Sequence, residues 1–155
     1  MAIEKGSVQT YIDTLVTIFN TIAFDGSTLG DRGLVKAHVR AGTEHPLTEI
    51  YVHGDVAKLS RDGADTTDLF WTVRIGIYTQ ATGREVDAQQ DNDYLTEQIL
   101  FKIAENTTNT GFSGATFTPI DGEGITSTSL QVSKENSHYY RSITATFQQI
   151  NAVSC

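Results

Sequence analysis

Apolar and polar residues alternate most clearly in residues 71–80, because side chains in a β-strand point to opposite faces in turn. One face of this segment is apolar and carries Trp71, Val73, Ile75 and Ile77. The other face carries Thr72, Arg74, Gly76 and Tyr78. The pattern predicts a strand with one face in the core and the other in solvent or against a partner.

Two segments instead place apolar residues at the three- and four-residue steps of a helix. Residues 7–24 carry them at Val8, Ile12, Leu15, Phe19 and Ile22, with Ser7 as the predicted N-cap. Residues 92–105 carry a wider stripe, namely Leu95, Ile99 and Ile103 flanked by Tyr94, Leu100 and Phe101. The wide stripe indicates burial against a sheet and leaves room for contact with a neighbour. Asp91 or Asn92 is the predicted cap of this second helix.

The remaining pattern consists of strands and loops. Strands are predicted at residues 34–40, 49–56, 115–120, 127–133 and 139–150. Mobile loops are predicted near residues 26–33, 59–68 and 121–126, which are rich in Gly, Asp and other turn formers. The order of elements predicts a single α+β domain over residues 1–155, with a mainly antiparallel, mixed β-sheet and two α-helices packed on one face.

The strand at residues 34–40 carries the densest basic stripe of the chain. Alternation turns Val35, Ala37 and Val39 inward and leaves Lys36, His38 and Arg40 in a row on the other face. Two interpretations stay open for this row. A solvated strand face is the first, and a contact surface for an acidic neighbour is the second.

Composition narrows the possible partners. A net charge of −8 and a pI near 4.8 disfavour non-specific binding to duplex nucleic acid, which needs clustered Lys and Arg. No apolar run approaches the roughly 20 residues that span a bilayer, and the first residues lack a secretory signal, so we expect no membrane contact and a cytoplasmic origin. The single cysteine, Cys155, excludes an internal disulfide.

The arrangement of metal-ligating, acidic and nucleophilic residues in the sequence does not indicate catalysis. His38, His45 and His53 are spaced unlike common metal ligands, and the acidic residues of segment 85–93 fit the start of a helix. A calcium loop at Asp62 lacks the glycine and the terminal glutamate of that pattern. No nucleophile elbow or phosphate-binding loop is present. We therefore predict no catalytic residue, no metal site and no cofactor.

The order of elements resembles the tail-terminator (tail-completion) proteins of long-tailed bacteriophages. The resemblance rests on the N-terminal amphipathic helix, the strand anchored by Pro46 in segment 45–52, the strand–loop–helix unit 71–105 and the closing strand 139–150. It covers most of the chain but includes no short invariant motif. Residues 26–42 and 111–124 depart from the smaller members of the family.

This resemblance implies a structural virion protein. Such proteins form a homo-oligomeric ring, here expected to be a hexamer, which caps the tail tube at the head-proximal end of the tail and ends its polymerisation. The implied partners are the chain itself, the tail-tube protein and the head-side connector protein. The ring needs no cofactor and no membrane, and DNA passes through it without sequence-specific contact. Assembly takes place in the host cytoplasm.

Working residues of such a ring are interface residues, in which aromatic and Arg anchors dominate. The candidates are Lys36, His38, Arg40, Arg74 and Tyr78, together with Arg61 and Asp62 in the predicted loop at residues 59–68. The alternatives within the virion are a head–tail connector (neck) protein and a tail-tube subunit, which would need a long hairpin for stacking. A small enzyme or ligand-binding module is the alternative from another class, and it would need a concave apolar pocket.

Overall fold

A computed structural model describes residues 7–38, 48–61, 66–80, 85–106, 116–118, 125, 127–133 and 138–154. The helices are α1 (Ser7–Phe19) and α2 (Glu85–Glu105). The strands are β1 (Ala23–Phe24), β2 (Ser27–Thr28), β3 (Val35–Lys36), β4 (Glu49–Arg61), β5 (Thr66–Gln80), β6 (Thr116–Thr118), β7 (Gln131–Ser133) and β8 (His138–Ser154).

Six of these strands form one sheet, and the predicted α+β class is confirmed. The strand order is β3–β4–β5–β8–β6, and β7 pairs with a different part of β8. All pairs are antiparallel except β3 with β4, which is parallel, so the sheet is mixed. β1 and β2 form a separate two-stranded hairpin.

Both helices pack on the same face of this sheet, as the apolar periodicity predicts. Val73, Ile75 and Ile77 of β5 are fully buried on this face, beside Ile143 and Ala145 of β8. They share one core with Leu15 and Phe19 of α1 and with Leu95 and Ile99 of α2 among other buried residues. The ring of Tyr11 stacks on Phe147 at 4.7 Å between centroids. Trp71 lies at the margin of this core and is half-buried.

The first helix is shorter than predicted because the chain after Phe19 folds back on it. Asp25 and Gly26 have φ values of 52° and 81°, the left-handed conformation that a tight hairpin turn between β1 and β2 requires. Gly30 then approaches the helix end, where its N–H donates to the Asn20 carbonyl at 3.0 Å. Segment 26–33, which we predicted as a loop, thus contains β2 and the fully buried Leu29.

The second helix begins earlier than predicted, at Glu85 instead of Asn92. Its first turns are anchored by Ala88, which is buried against Tyr139 and whose carbonyl accepts a hydrogen bond from the Thr79 hydroxyl at 2.8 Å. Asn92 is not a cap. Its amide is completely buried and donates to the Ile77 carbonyl at 3.1 Å.

The predicted loop at residues 59–68 is wrong in extent, because β4 continues to Arg61 and β5 begins at Thr66. A bulge between Gly54 and Ala57 shifts the register, after which the two strands pair again. Conversely, the strand predicted at residues 34–40 is reduced to Val35–Lys36, and Ala37 is exposed. Val39 and Arg40 lie outside the described residues, and in segment 121–126 only Ile125 is described.

Asn92 provides a test of how α2 is held on the sheet. Besides its bond to Ile77, its side-chain oxygen accepts a hydrogen bond from Arg141 of β8 at 3.3 Å. We expect Asn92→Ala to lower the free energy of unfolding by about 1–3 kcal/mol, because it leaves buried polar partners unsatisfied. Urea unfolding followed by circular dichroism measures this loss.

Gln90→Ala is the matched control, since Gln90 is an exposed residue of the same helix. It should change the free energy of unfolding by less than about 0.5 kcal/mol. Equal effects of the two substitutions would contradict a structural role for the Asn92 amide.

Candidate functional site

The sheet face opposite the helices gathers most of the residues predicted to form an interface. This open face carries Lys36 and His38 at one edge, Tyr51 and His53 on β4, Arg74 and Tyr78 on β5, and Tyr140 on β8. The strand registers place them together, since Lys36 lies opposite Tyr51 and Tyr78 lies opposite Tyr140. The imidazole of His38 makes an edge-to-face contact with the Tyr51 ring, with 5.8 Å between the ring centroids.

Aromatic rings form the centre of the open face. The ring of Tyr78 lies 4.7 Å from that of Tyr140, 5.7 Å from that of Tyr51 and 5.3 Å from the imidazole of His138. Gly76 makes this arrangement possible, because a Cβ atom there would lie 3.1 Å from the Tyr78 ring and 3.4 Å from the Tyr140 ring. The rings of Tyr78 and Tyr140 therefore occupy the space above Gly76 that a side chain would otherwise fill.

Exposed charges on the open face are mainly positive. Arg74, which is exposed, forms an ion pair with Asp55 at 3.1 Å. Lys36 is half-buried and Lys58, opposite Phe70 on the same face, is exposed. Glu49 is buried and its carboxylate accepts a hydrogen bond from the Tyr51 hydroxyl. Basic and aromatic groups thus dominate what a partner would contact on this face.

Burial raises the pKa of Tyr78 to about 12, and repulsion from Tyr140 and a hydrogen bond to Tyr140 act in the same direction. Arg74 opposes the shift, because its positive charge favours the phenolate. The Tyr78 hydroxyl consequently stays protonated well above neutral pH. It can serve as a hydrogen-bond donor as well as an apolar ring, the combination that makes Tyr common at interfaces.

A second surface is the distal arm, which we define as residues 56–61 of β4, 66–71 of β5 and 147–154 of β8. Val8, in the first turn of α1, lies over Gly54, and β4 continues beyond this point. There Ala57, Lys58 and Leu59 are exposed, with Leu59 at 64%. Val56, in the bulge at the base of the arm, is 57% exposed.

One edge of the arm also presents backbone groups. The Ile50 N–H points away from β5 and donates to the Leu34 carbonyl at 2.8 Å. Because antiparallel pairing alternates inward and outward groups, the N–H groups of every second residue on each side of the bulge also point away from β5. No described strand pairs with that side of β4 beyond Tyr51.

A third surface is the outer face of α2, which carries Val86, Tyr94, Glu97 and Phe101. Val86 is 67% exposed and Phe101 is 51% exposed, although both are apolar. Acidic side chains lie around them, at Asp87, Asp93 and Glu97. The wide apolar stripe predicted for this helix is thus divided: Leu100 packs against the core, whereas Tyr94 and Phe101 face outward.

A cavity of about 470 Å³ lies between the β1–β2 turn and the first half of α2. It is lined by Phe24, Asp25, Arg32, Leu34, Thr48, Gln80, Asp91 and Tyr94. Arg32, the cation among its described lining residues, is already engaged by Asp25 at 3.6 Å and lies over the Phe24 ring at 5.3 Å. Within the described parts of the chain, no three His, Cys, Asp or Glu side chains are arranged to hold a metal ion. Neither described helix is long and apolar enough to span a membrane.

Four of the predicted interface residues, Lys36, His38, Arg74 and Tyr78, therefore share the open face. Arg61 is separate from them, at the end of β4 in the distal arm. Arg40 and Asp62 lie outside the described residues.

Sequence reasoning missed Tyr51, Tyr140 and His138 as members of the aromatic cluster. Alternation in residues 49–56 and 139–150 contained part of the signal, because it separates Tyr51 and Tyr140 from the core positions. The register that makes them neighbours of Tyr78 appears only in the sheet.

No protein-family model matches the sequence, and no curated protein is significantly similar to it. Function is therefore inferred from the surfaces of the chain and from the order of its elements.

Tyr78 ionisation can be measured directly. Since its pKa in the folded protein, about 12, exceeds the ordinary value of 10, Tyr78 contributes stability below pH 10 that is lost as the pH rises towards 12. We expect the phenolate absorbance difference between wild type and Tyr78→Phe to titrate near pH 12, when it is read immediately after a pH jump. Tyrosines that are not in contact with Tyr78 cancel in this difference, and a midpoint at or below pH 10 would contradict the proposed burial.

Proposed function

We propose that this chain is a structural virion protein of a long-tailed bacteriophage, without catalytic activity or cofactor. It forms a homo-oligomeric ring, expected to be a hexamer, at the head-proximal end of the tail. The ring caps the tail tube, ends its polymerisation and joins the tail to the head-side connector. The observation that carries the proposal is the distal arm, in which β4 and β5 continue beyond the contact of Val8 with Gly54 and expose Val56 and Leu59.

The arm supports assembly because its exposed apolar side chains and its open strand edge would promote aggregation of an isolated protein. Monomeric proteins protect strand edges, since exposed backbone groups there pair readily with other chains. In the arm, exposed apolar side chains accompany an edge that no described strand covers. Contact with the tail tube or with a second copy would bury both features together.

The charge of the chain is compatible with this position in the virion. A net charge of −8 disfavours tight contact with phosphate groups, so DNA could pass through a ring of such chains without being held. The partners on this proposal are the chain itself, the tail-tube protein and the head-side connector protein. Assembly would take place in the host cytoplasm, before the tail joins the head.

A tail-tube subunit is the second candidate, and the length of the β4–β5 hairpin favours it. The two strands have 13 and 15 residues, and both are longer than the strands predicted at residues 49–56 and 71–80. A tube subunit would stack into long tubes, whereas a terminator would stop at one ring. A head–tail connector protein would also stop at a ring, but it would bind the head side instead of tail tubes.

Negative-stain electron microscopy and light scattering of the purified protein test the proposal. We expect rings with a central hole and the mass of about six chains of 16.9 kDa. Added tail tubes should become capped at one end. Long tubes formed by the protein alone would favour the tube subunit, and a monomer that stays monomeric on tail tubes would refute the ring.

Substitution in the arm tests its role in binding the tube or a neighbour. Val56→Asp places a charge in a surface that would be buried in the assembly, so we expect capping to fall by at least tenfold in a tube-binding assay. The melting temperature should change little, because Val56 is exposed in the single chain.

Val132→Asp is the matched control, since Val132 of β7 is also 57% exposed but lies outside the arm. It should leave capping unchanged. Equal loss of capping in both variants would mean that the added charge acts through solubility or folding instead of through the arm.

A further inference from the structure

The open face and the outer face of α2 lie on opposite sides of the molecule. α2 packs on one face of the sheet through Leu95, Ile99 and Ile103, so its outer face points away from the sheet. The open face points in the opposite direction. The two surfaces therefore cannot meet within one chain, but the open face of one copy can meet α2 of the next.

Their chemistry is complementary. The outer face of α2 has acidic side chains at Asp87 and Glu97 around the exposed Val86 and Phe101, and Asp93 beside them pairs with Arg141 of the same chain. The open face has the cations Lys36 and Lys58 around the half-buried rings of Tyr78 and Tyr140, and Arg74 among them pairs with Asp55. Aromatic and Arg side chains are the residue types enriched at the centres of interfaces, and opposite charges around them select orientation.

Their dimensions also agree. Val86 and Phe101 are fifteen residue steps apart, which is about 22 Å of helix at about 1.5 Å per step. Tyr51 and Lys58 lie opposite Gly76 and Phe70, which are six residue steps apart on β5, or about 20 Å of strand at about 3.3 Å per step. A helix laid along the open face could therefore contact the aromatic cluster and the cations at both ends of the surface.

We infer that the outer face of α2 of one copy docks on the open face of the next copy, so that the subunits associate front to back. This inference rests on the proposed self-assembly and names the surfaces that perform it. A front-to-back contact is heterologous, because each copy uses two different surfaces. It propagates until a ring closes, which limits the number of copies.

Two variants, each blocking one surface, test this arrangement. Phe101→Asp adds a charge to the outer face of α2, and Lys36→Glu with His38→Glu reverses the charge at the edge of the open face. Each variant alone should lose the ring and run as a 16.9 kDa monomer in size-exclusion chromatography with light scattering. Val132→Asp, which lies outside both surfaces, should keep the ring.

Mixing the two blocked variants distinguishes front-to-back from symmetric association. Each variant retains the surface that the other lacks, so an equimolar mixture should form a dimer of one copy of each and nothing larger. No dimer in the mixture, or rings that persist in either variant alone, would overturn the inference while leaving the ring itself intact. A wild-type protein that stays monomeric even on added tail tubes would refute the proposed function and this inference together. Unchanged melting temperatures of the variants establish that the chains remain folded.

Discussion

The pairing of β5 with β8 is the constraint on which the other features of the structure depend. These two long strands run antiparallel through the centre of the sheet, with Ile75 opposite Ile143 and Tyr78 opposite Tyr140. Because side chains alternate, this one register sends the aliphatic residues towards the helices and the tyrosines to the open face. A slip by one residue would exchange the two sets on one strand and bury polar groups in the core. The core and the open face are thus two consequences of a single register.

The position of α2 is set by polar contacts as well as by apolar packing. Asn92 lies completely buried between the helix and the sheet, and Arg141 reaches from β8 to Asn92 and to the carboxylate of Asp93. A buried polar group has to find partners, so these bonds favour one rotation of the helix over others that would bury a similar apolar area. The selected rotation turns Phe101 and Glu97 outward. The same contacts that hold the helix on the sheet therefore determine which surface it offers to a partner.

Sequence patterns predicted the core well and the element boundaries poorly. The alternation in residues 71–80 and the helical spacing of Leu95, Ile99 and Ile103 are strong signals, because each apolar residue must be buried by the element that carries it. The early turns of α2 gave no such signal, since Ala88 is the one buried residue among the described side chains there and its burial depends on Tyr139, far away in the chain. The strands beyond Gly54 were hidden by Gly, Asp and Arg residues that usually mark loops. Their pairing is decided by the partner strands of the hairpin and of β8.

The sequence by itself determined which residues are apolar, how they are spaced, and hence that an α+β domain with two helices on one sheet face results. It also determined that Lys36 and His38, and separately Arg74 and Tyr78, lie on non-core strand faces. Only the tertiary structure decided that the two pairs of residues lie on the same face of one sheet. The parallel pairing of β3 with β4 and the antiparallel pairing of β4 with β5 bring them together over long separations in sequence. Alternation assigns each side chain to a side of its own strand, whereas register between strands depends on contacts that local sequence does not specify.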